Sequence, residues 1–237
     1  MGTIINVVCI VGGGLLGLVA GRFLNERLQS IINVAMGLSI IAMSVSGFVS
    51  KMLVISGDEI TTTGTYVIVF SLVIGGIIGE ALDIERQMER FGEWLKLKTG
   101  NAKDAAFVDG FVTASLTVCI GALAVVGAIM DGISGDHSYL ITKGILDFVI
   151  IMVMTASMGK GCMFSAIPVG IWQGSITLLA SLLAPIINDT ALNNISMVGN
   201  LMILCIGLNI LFDGRIRIKV ANLMPAIIFA VVAAYLI

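Results

Sequence analysis

Apolar runs of about 20 residues recur along the whole 237-residue chain, and they constrain its fold more than any other feature. Each run is long enough to cross the hydrocarbon core of a bilayer as an α-helix. Lipid offers the backbone no hydrogen-bond partners, and the runs lack the alternating pattern of membrane β-strands. We therefore predict an all-α polytopic membrane protein with a single integral membrane domain over residues 1–237. The eight predicted spans are Thr3–Ala20, Ser30–Val54, Gly64–Leu82, Ala105–Met130, Ile141–Met158, Cys162–Ile187, Ile195–Phe212 and Val220–Ile237.

The composition excludes several classes of function. Hydrophobic residues make up 58% of the chain and charged residues 12%, whereas soluble domains contain about 25% charged residues. The net charge of −2 and the lack of a basic stripe argue against a nucleic-acid partner. We predict no metal and no cofactor, because the cysteines lie inside apolar runs without the close spacing of a metal site. The cysteines are Cys9, Cys119, Cys162 and Cys205.

Basic residues are distributed unevenly between the loops, and this predicts the orientation in the membrane. Cytoplasmic loops carry an excess of lysine and arginine. The even-numbered loops contain only Lys51 and Lys143 of the 13 basic residues. We therefore predict that the odd-numbered loops are cytoplasmic and that both termini lie outside. The odd-numbered loops contain Arg22, Arg27, Arg86, Arg90, Lys96, Lys98, Lys103, Lys160, Arg215, Arg217 and Lys219.

The longest loop contains a helical pattern of its own. Ile84, Met88 and Leu95 recur at helical spacing, with charged residues on the remaining face. Trp94 adds an aromatic side chain that suits the headgroup region. We predict an amphipathic helix over residues 83–98 that lies on the cytoplasmic leaflet of the membrane. The alternative is a helix that caps the end of the bundle.

Glycine spacing indicates how the helices pack. Small residues four apart on a helix let neighbouring backbones approach closely. We predict glycine-rich packing between helices and a homodimer whose interface uses such ridges. Three of the ridges are Gly13-Gly17-Gly21, Gly75-Gly79 and Gly170-Gly174.

The segment from Asp131 to Asp147 concentrates charge in a protein otherwise built for lipid. Lys143 and Asp147 are four residues apart, so they share one face of the fifth predicted span and can pair. Asp131 and Asp136 lie at the same outer end, and the four side chains can converge on one outward vestibule. Charge at membrane depth usually faces a cavity, a partner or a pathway. Two interpretations stay open: a cation, proton or gating site, and an ion pair that holds two helices together.

The sixth predicted span has a second polar feature. Pro168 and Gly170 lie inside it, and Gln173 follows. Proline removes a backbone donor and clashes with the preceding turn, so we predict a kink or break near residues 166–170. Broken helices at membrane depth bind ions and substrates in many transporters. The alternative is a proline kink without a functional role.

Three acidic residues, Glu80, Asp109 and Asp213, each lie near a predicted cytoplasmic helix end. They can pair with the basic residues there or line an inner mouth. Signatures of catalysis are poor, because His137 is the only histidine and neither a metal motif nor a phosphate-cradling loop is present. We predict that the protein is not an enzyme.

The chain resembles the YdfK/YqgA family of bacterial inner-membrane proteins of unknown function, which are described as membrane or transport proteins. The resemblance covers essentially the whole chain and is closest in FVTASLTVCIGALAVVGAIMDG, GDHSYLITKGILD and FSAIPVGIWQG, between Gly110 and Gly174. It implies a multi-pass protein of the bacterial cytoplasmic membrane. The family's polar positions fall on Asp131, Asp136, Lys143, Asp147 and Gln173.

These features predict a small-solute or ion permease whose polar site lies between the fourth, fifth and sixth spans. Its partners would be membrane lipid and a small solute, a monovalent cation or a proton. The alternative is a non-transporting scaffold, sensor or assembly protein in which the charged residues are structural.

Overall fold

The computed structural model describes residues 1–56, 59–212, 215 and 217–236. Its elements in chain order are α1 (Gly2–Gly21), α2 (Glu26–Met52), β1 (Leu53–Ser56), β2 (Glu59–Thr62), α3 (Thr65–Leu82), α4 (Ile84–Lys98), α5 (Phe107–Cys119), α6 (Ala122–Ile133), α7 (Ser138–Met158), a first 3-10 helix (Lys160–Ser165), α8 (Ala166–Leu178), α9 (Ala180–Leu183), α10 (Asp189–Leu211), a second 3-10 helix (Val220–Leu223) and α11 (Ala226–Ala233).

The architecture is helical, and its helices suit a membrane. Among the described residues, five helices are long and apolar enough to cross a bilayer, namely α1, α2, α3, α7 and α10. The bent pair α5–α6 makes a sixth crossing if it counts as one span. Large apolar side chains such as Ile4, Val8 and Leu15 are exposed along α1. Exposed apolar surface of this extent marks contact with lipid or with another protein.

Three of the predicted spans have an internal break, and the eighth consists of the second 3-10 helix followed by α11. The fourth is interrupted between Cys119 and Ala122 and bends by 62°, with Gly121 at a φ of 143° that favours glycine. The sixth changes from a 3-10 helix to an α-helix between Ser165 and Ala166, at the edge of the region where the sequence predicts a break. The bend in the fourth span is not anticipated by the sequence, because no proline marks it.

Contacts divide the chain into two compact units. The first contains residues 1–36, 86–119 and 123–183, and the second contains residues 37–85, 120–122 and 184–237. Each unit combines segments that are distant in the sequence, so no single point along the chain separates them. The single membrane domain remains a prediction.

In the first unit, α1 packs against α7 through glycines. A Cβ atom on Gly13 would lie 2.3 Å from the Phe148 carbonyl oxygen, and one on Gly17 would lie 2.4 Å from the Met152 oxygen. Such contacts are far too short for a side chain, so the two backbones touch directly. Gly161 similarly lets the first 3-10 helix touch the Phe107 carbonyl oxygen of α5.

In the second unit, α3 packs in the same way against the second 3-10 helix and α11. A Cβ on Gly75 would lie 2.3 Å from the Ala226 nitrogen, and one on Gly79 would lie 1.8 Å from the Asn222 oxygen. Because the ridge glycines of α1 and α3 contact their own chain, an interface between two copies requires other surfaces.

The predicted amphipathic segment forms α4. Gly92 and Leu95 are buried, and Gly92 packs on the Phe111 ring of α5. Trp94 and Leu97 are exposed on the same helix. The helix therefore anchors to the first unit by one face and presents apolar side chains on another.

Candidate functional site: a buried polar cluster

Helix α7 carries the charged pair at the centre of the site. Lys143 and Asp147 form an ion pair and are 6% and 4% exposed. Asp147 is the tenth residue of α7, so it lies about 13 Å along a helix of about 31 Å. The pair is therefore close to the middle of the span, where an uncompensated charge is expensive.

The bend in the fourth predicted span supplies the next member of the cluster. Helix α5 ends at Cys119, so its last carbonyl groups have no intrahelical donor. The Lys143 Nζ donates a hydrogen bond to the Val118 carbonyl oxygen at 2.8 Å. A cation at a helix C-terminus is also favoured by the helix dipole. Lys143 thus stabilises a broken helix end and neutralises Asp147 with the same ammonium group.

Two amides from other helices complete the cluster. The Asn6 Nδ2 of α1 donates to the Gln173 Oε1 of α8 at 3.1 Å, and both residues are 0% exposed. Asn6 also lies near the Asp147 carboxylate. Its close approach depends on Gly144, where a Cβ would lie 3.3 Å from the Asn6 Cα. We call Asn6, Lys143, Asp147, Gln173 and the Val118 carbonyl the buried polar cluster.

The buried polar cluster is not fully satisfied. Among the described residues, the Asn6 Oδ1 and the Gln173 Nε2 are buried without a hydrogen-bond partner. An unpaired buried polar atom costs about 1–3 kcal/mol, so most native sites avoid it. The cluster therefore contains one unpaired acceptor and one unpaired donor.

Asp131 belongs to a separate group at the N-terminal end of α1. Its buried carboxylate accepts the Gly2 N–H at 3.1 Å, lies 3.2 Å from the Met1 amino group and pairs with His137. These contacts place negative charge at a helix N-terminus, where it is stabilising. The arrangement joins α1 to the end of α6 and satisfies the carboxylate locally.

Asp136 does not join the buried polar cluster. It is partly exposed, and its Oδ1 accepts the Ser138 N–H at 2.9 Å at the start of α7. These hydrogen bonds from Ser138 lower the pKa of Asp136 below its ordinary value. Asp136 therefore satisfies one backbone N–H in the first turn of the helix.

The proline of α8 occupies a position that the helix tolerates. Pro168 is the third residue of α8, in the first turn, where backbone N–H groups have no intrahelical acceptor. A Cβ on Gly170 would make an ordinary contact of 3.4 Å with Val7, so this glycine is not required for space. Pro168 therefore lies at the start of the helix that presents Gln173.

The acidic residues at the predicted cytoplasmic ends are distributed over both units. Glu80 is an exposed residue of the second unit and accepts hydrogen bonds from Lys219 at 2.7 Å and Asn222 at 2.6 Å. The hydrogen bond to Glu80 raises the pKa of Lys219. Asp109 is exposed in the first turn of α5 in the first unit. Asp213 lies outside the described residues.

Sequence reasoning missed two members of the cluster, Asn6 and the Val118 carbonyl. Asn6 is a lone amide in an otherwise apolar first run, and this was a usable signal. The Val118 carbonyl had none, because a backbone oxygen becomes available only where the helix ends.

Comparisons with known proteins agree with this description. Residues 1–235 match the family model described as protein of unknown function (DUF554). The chain is 31% identical over 238 aligned positions to the uncharacterized membrane protein YdfK of Bacillus subtilis, covering 100% of this chain and 96% of the relative. It is 25% identical to the uncharacterized protein YqgA of Escherichia coli, covering 97% and 94%. No solved structure matches the chain. One of these relatives is named as a membrane protein, and the chain itself is a member of the DUF554 family.

Proposed function

We propose that the protein is a small-solute or ion transporter of the bacterial cytoplasmic membrane and that the buried polar cluster is its binding site. One observation carries the proposal: the Lys143 ammonium bridges a carboxylate and a freed helix-end carbonyl, beside two unpartnered amide atoms. Transporters use such broken helices near the bilayer midplane to bind ions and substrates. A scaffold that only needs two helices joined has no use for unpaired buried donors and acceptors.

The proposed cargo is a monovalent cation or a proton. The Lys143 ammonium occupies a position between the Val118 carbonyl oxygen and the Asp147 carboxylate, both of which are ligands for a hard cation. The Asn6 Oδ1 adds a free acceptor. An entering cation would replace the ammonium at the carboxylate, and a proton would neutralise the carboxylate and release the lysine. Either event changes which helices the cluster joins.

We further propose that the chain crosses the membrane eight times, and helix directions in the first unit support this count. Gly2 contacts Leu140 and Gly21 contacts Ala156, so α1 and α7 run parallel. If α2 and α3 each cross once, α7 is parallel to α1 only when the α5–α6 pair makes one net crossing. A re-entrant α5–α6 pair would make α7 antiparallel to α1.

The directions of the remaining short segments also support this count. The first 3-10 helix and α8 run antiparallel to α1, since Gly14 contacts Met163 at one end and Thr3 lies 3.4 Å from Thr177 at the other. In the second unit, the contacts of Gly75 and Gly79 make α11 antiparallel to α3 in the same way. These directions agree with an up-and-down path.

The orientation is part of the same proposal. The distribution of basic residues supports cytoplasmic odd-numbered loops and external termini. The exposed Trp94 and Leu97 support the placement of α4 on the cytoplasmic leaflet. We also propose a homodimer, and a mass measurement of the purified protein in detergent tests it directly.

The second candidate is a membrane scaffold without transport. It is favoured by the contacts of Asp131, which are satisfied within the chain and join two helices. Charge in this protein therefore has at least one structural use. In that case the Lys143–Asp147 pair would also be a structural contact that holds helices together.

Flux through liposomes distinguishes the two candidates. Purified protein is reconstituted, and uptake of sodium, potassium and protons is measured for the wild type, the Lys143→Met/Asp147→Asn double variant and an Asp136→Asn control. Transport predicts a flux that the control retains and the double variant loses. A flux that the double variant retains would remove the pair from the mechanism, and a folded protein without any flux would favour the scaffold.

A further inference from the structure

A cavity of about 520 Å³ lies within the first unit, at the end where α1 and α7 terminate together. Its lining includes Leu18, Arg22, Gln29, Thr155 and Lys160. This end is distant from the buried polar cluster, because Thr155 follows Asp147 by two helical turns. The cavity therefore requires an explanation of its own.

Thr155 supplies the first indication of a ligand. Hydroxyl groups in membrane helices commonly bond to the carbonyl one turn before them, and Thr117, Thr142 and Ser157 do so at 2.7, 3.0 and 3.0 Å. Thr155 differs, because its Oγ1 is buried and has no partner among the described residues. The residue is 2% exposed and lines the cavity. Its hydroxyl is therefore an unpaired donor and acceptor buried beside the cavity, and a ligand could reach it only after rotation of the side chain.

The charge of the lining indicates the chemistry of that ligand. Arg22 and Lys160 both line the cavity, and none of the described lining residues is acidic. Asp104 lies 3.9 Å from the Lys160 Nζ, at the limit of an ion pair, so it neutralises that cation only in part. Cations at the ends of α1 and α7 also complement the helix dipoles, but this role needs neither a cavity nor a free hydroxyl.

We propose that this cavity binds the phosphate group of an anionic phospholipid. Arginine forms paired hydrogen bonds with phosphate oxygens, and the Thr155 hydroxyl would donate one more. The apolar lining residues Leu18 and Met158 suit the glycerol and acyl portion. A basic pocket between helices, at the end of two membrane-length helices, is where lipid headgroups are recognised. The site is independent of the transport proposal.

Lipid retention tests the assignment without any flux measurement. Delipidated protein in detergent is incubated with phosphatidylglycerol, with phosphatidylcholine of the same acyl chains, or with inorganic phosphate. Bound lipid is then measured by native mass spectrometry and the melting temperature by thermal shift. Arg22→Gln is compared with Arg27→Gln, an exposed arginine outside the lining, and Thr155→Val is compared with Thr142→Val.

Phosphatidylglycerol is expected to raise the melting temperature more than phosphatidylcholine does. Arg22→Gln is expected to weaken its retention about tenfold, since a hydrogen bond to a charged group is lost. Thr155→Val is expected to act in the same direction, and both controls should retain the lipid. Equal retention of the two lipids, or normal retention by Arg22→Gln, would overturn the proposal. Stabilisation by inorganic phosphate alone would overturn the lipid source. Because Arg22 is exposed, its variant keeps the test valid even if Thr155→Val fails to fold.

Discussion

Replacing Lys143 by methionine isolates the energetic role of the buried ion pair. The substitution keeps the side chain long and apolar but leaves the Asp147 carboxylate, 4% exposed, without its cation. It also leaves the Val118 carbonyl without its donor. Removing one member of a buried pair costs about 3–5 kcal/mol, because a charge remains uncompensated. The Lys143→Met/Asp147→Asn double variant removes that charge and should cost only the unpaired carbonyl, about 1–3 kcal/mol.

Adding Asp147→Asn to Lys143→Met should therefore raise the free energy of unfolding again, although each substitution removes a polar contact. Unfolding by increasing SDS in mixed micelles, followed by circular dichroism, measures the free energy of unfolding for the wild type, both single variants and the double variant. Asp136→Asn serves as a control, because Asp136 is partly exposed and lies outside the cluster. A cost below about 1 kcal/mol for Lys143→Met would refute the reasoning, since it would mean that water reaches Asp147. Additive costs in the double variant would refute the pairing itself.

Three further predictions concern helix packing, a hydrogen bond at a helix end and the orientation in the membrane. Gly13→Ala should destabilise the first unit by about 1–3 kcal/mol, because the added Cβ would lie 2.3 Å from a backbone oxygen. Gly174→Ala should be tolerated, because its added Cβ would have no described atom of another segment within 4 Å. Thermal melting of the two variants in detergent compares their stabilities. The hydrogen bonds from Ser138 lower the pKa of Asp136 in the folded state, so they should stabilise the fold at neutral pH. This stabilisation should be lost as the pH falls below about 4 and the carboxylate is protonated. Asp136→Ala should therefore flatten this part of a curve of unfolding free energy against pH. With the eight-span topology, Lys51→Cys should react with an impermeant maleimide in whole cells and Lys160→Cys only in permeabilised cells, and the reverse pattern would invert the orientation.

Local spacing in the sequence accounts for much of what was predicted correctly. The fifth predicted span, Ile141–Met158, ends at the same residue as α7, which covers Ser138–Met158. The amphipathic segment over residues 83–98 forms α4, Ile84–Lys98. Lys143 and Asp147 pair because a four-residue separation places them on one helix face regardless of the remaining fold. These features depend on neighbours within one or two turns, so a linear pattern contains them.

The position of breaks within spans could not be obtained in this way. Pro168 predicts a break in the sixth span, but it lies in the first turn of α8, where proline is tolerated. A bend of 62° separates the two helices of the fourth span, and the break between them contains Gly121, one glycine among 28 in the sequence. A glycine in an apolar run permits a continuous helix and a broken one, and packing against other segments decides between them.

The sequence alone determined a helical membrane protein with charge at depth in its fifth span, because hydropathy and helical periodicity are properties of contiguous residues. Only the tertiary structure decided which groups surround that charge. Lys143 and Asp147 lie with Asn6, Gln173 and the Val118 carbonyl. Asp131 instead accepts a hydrogen bond at the N-terminus of α1. A hydrogen bond between helices depends on where each helix ends and how closely two backbones approach. Both are set by contacts between residues that are far apart along the chain.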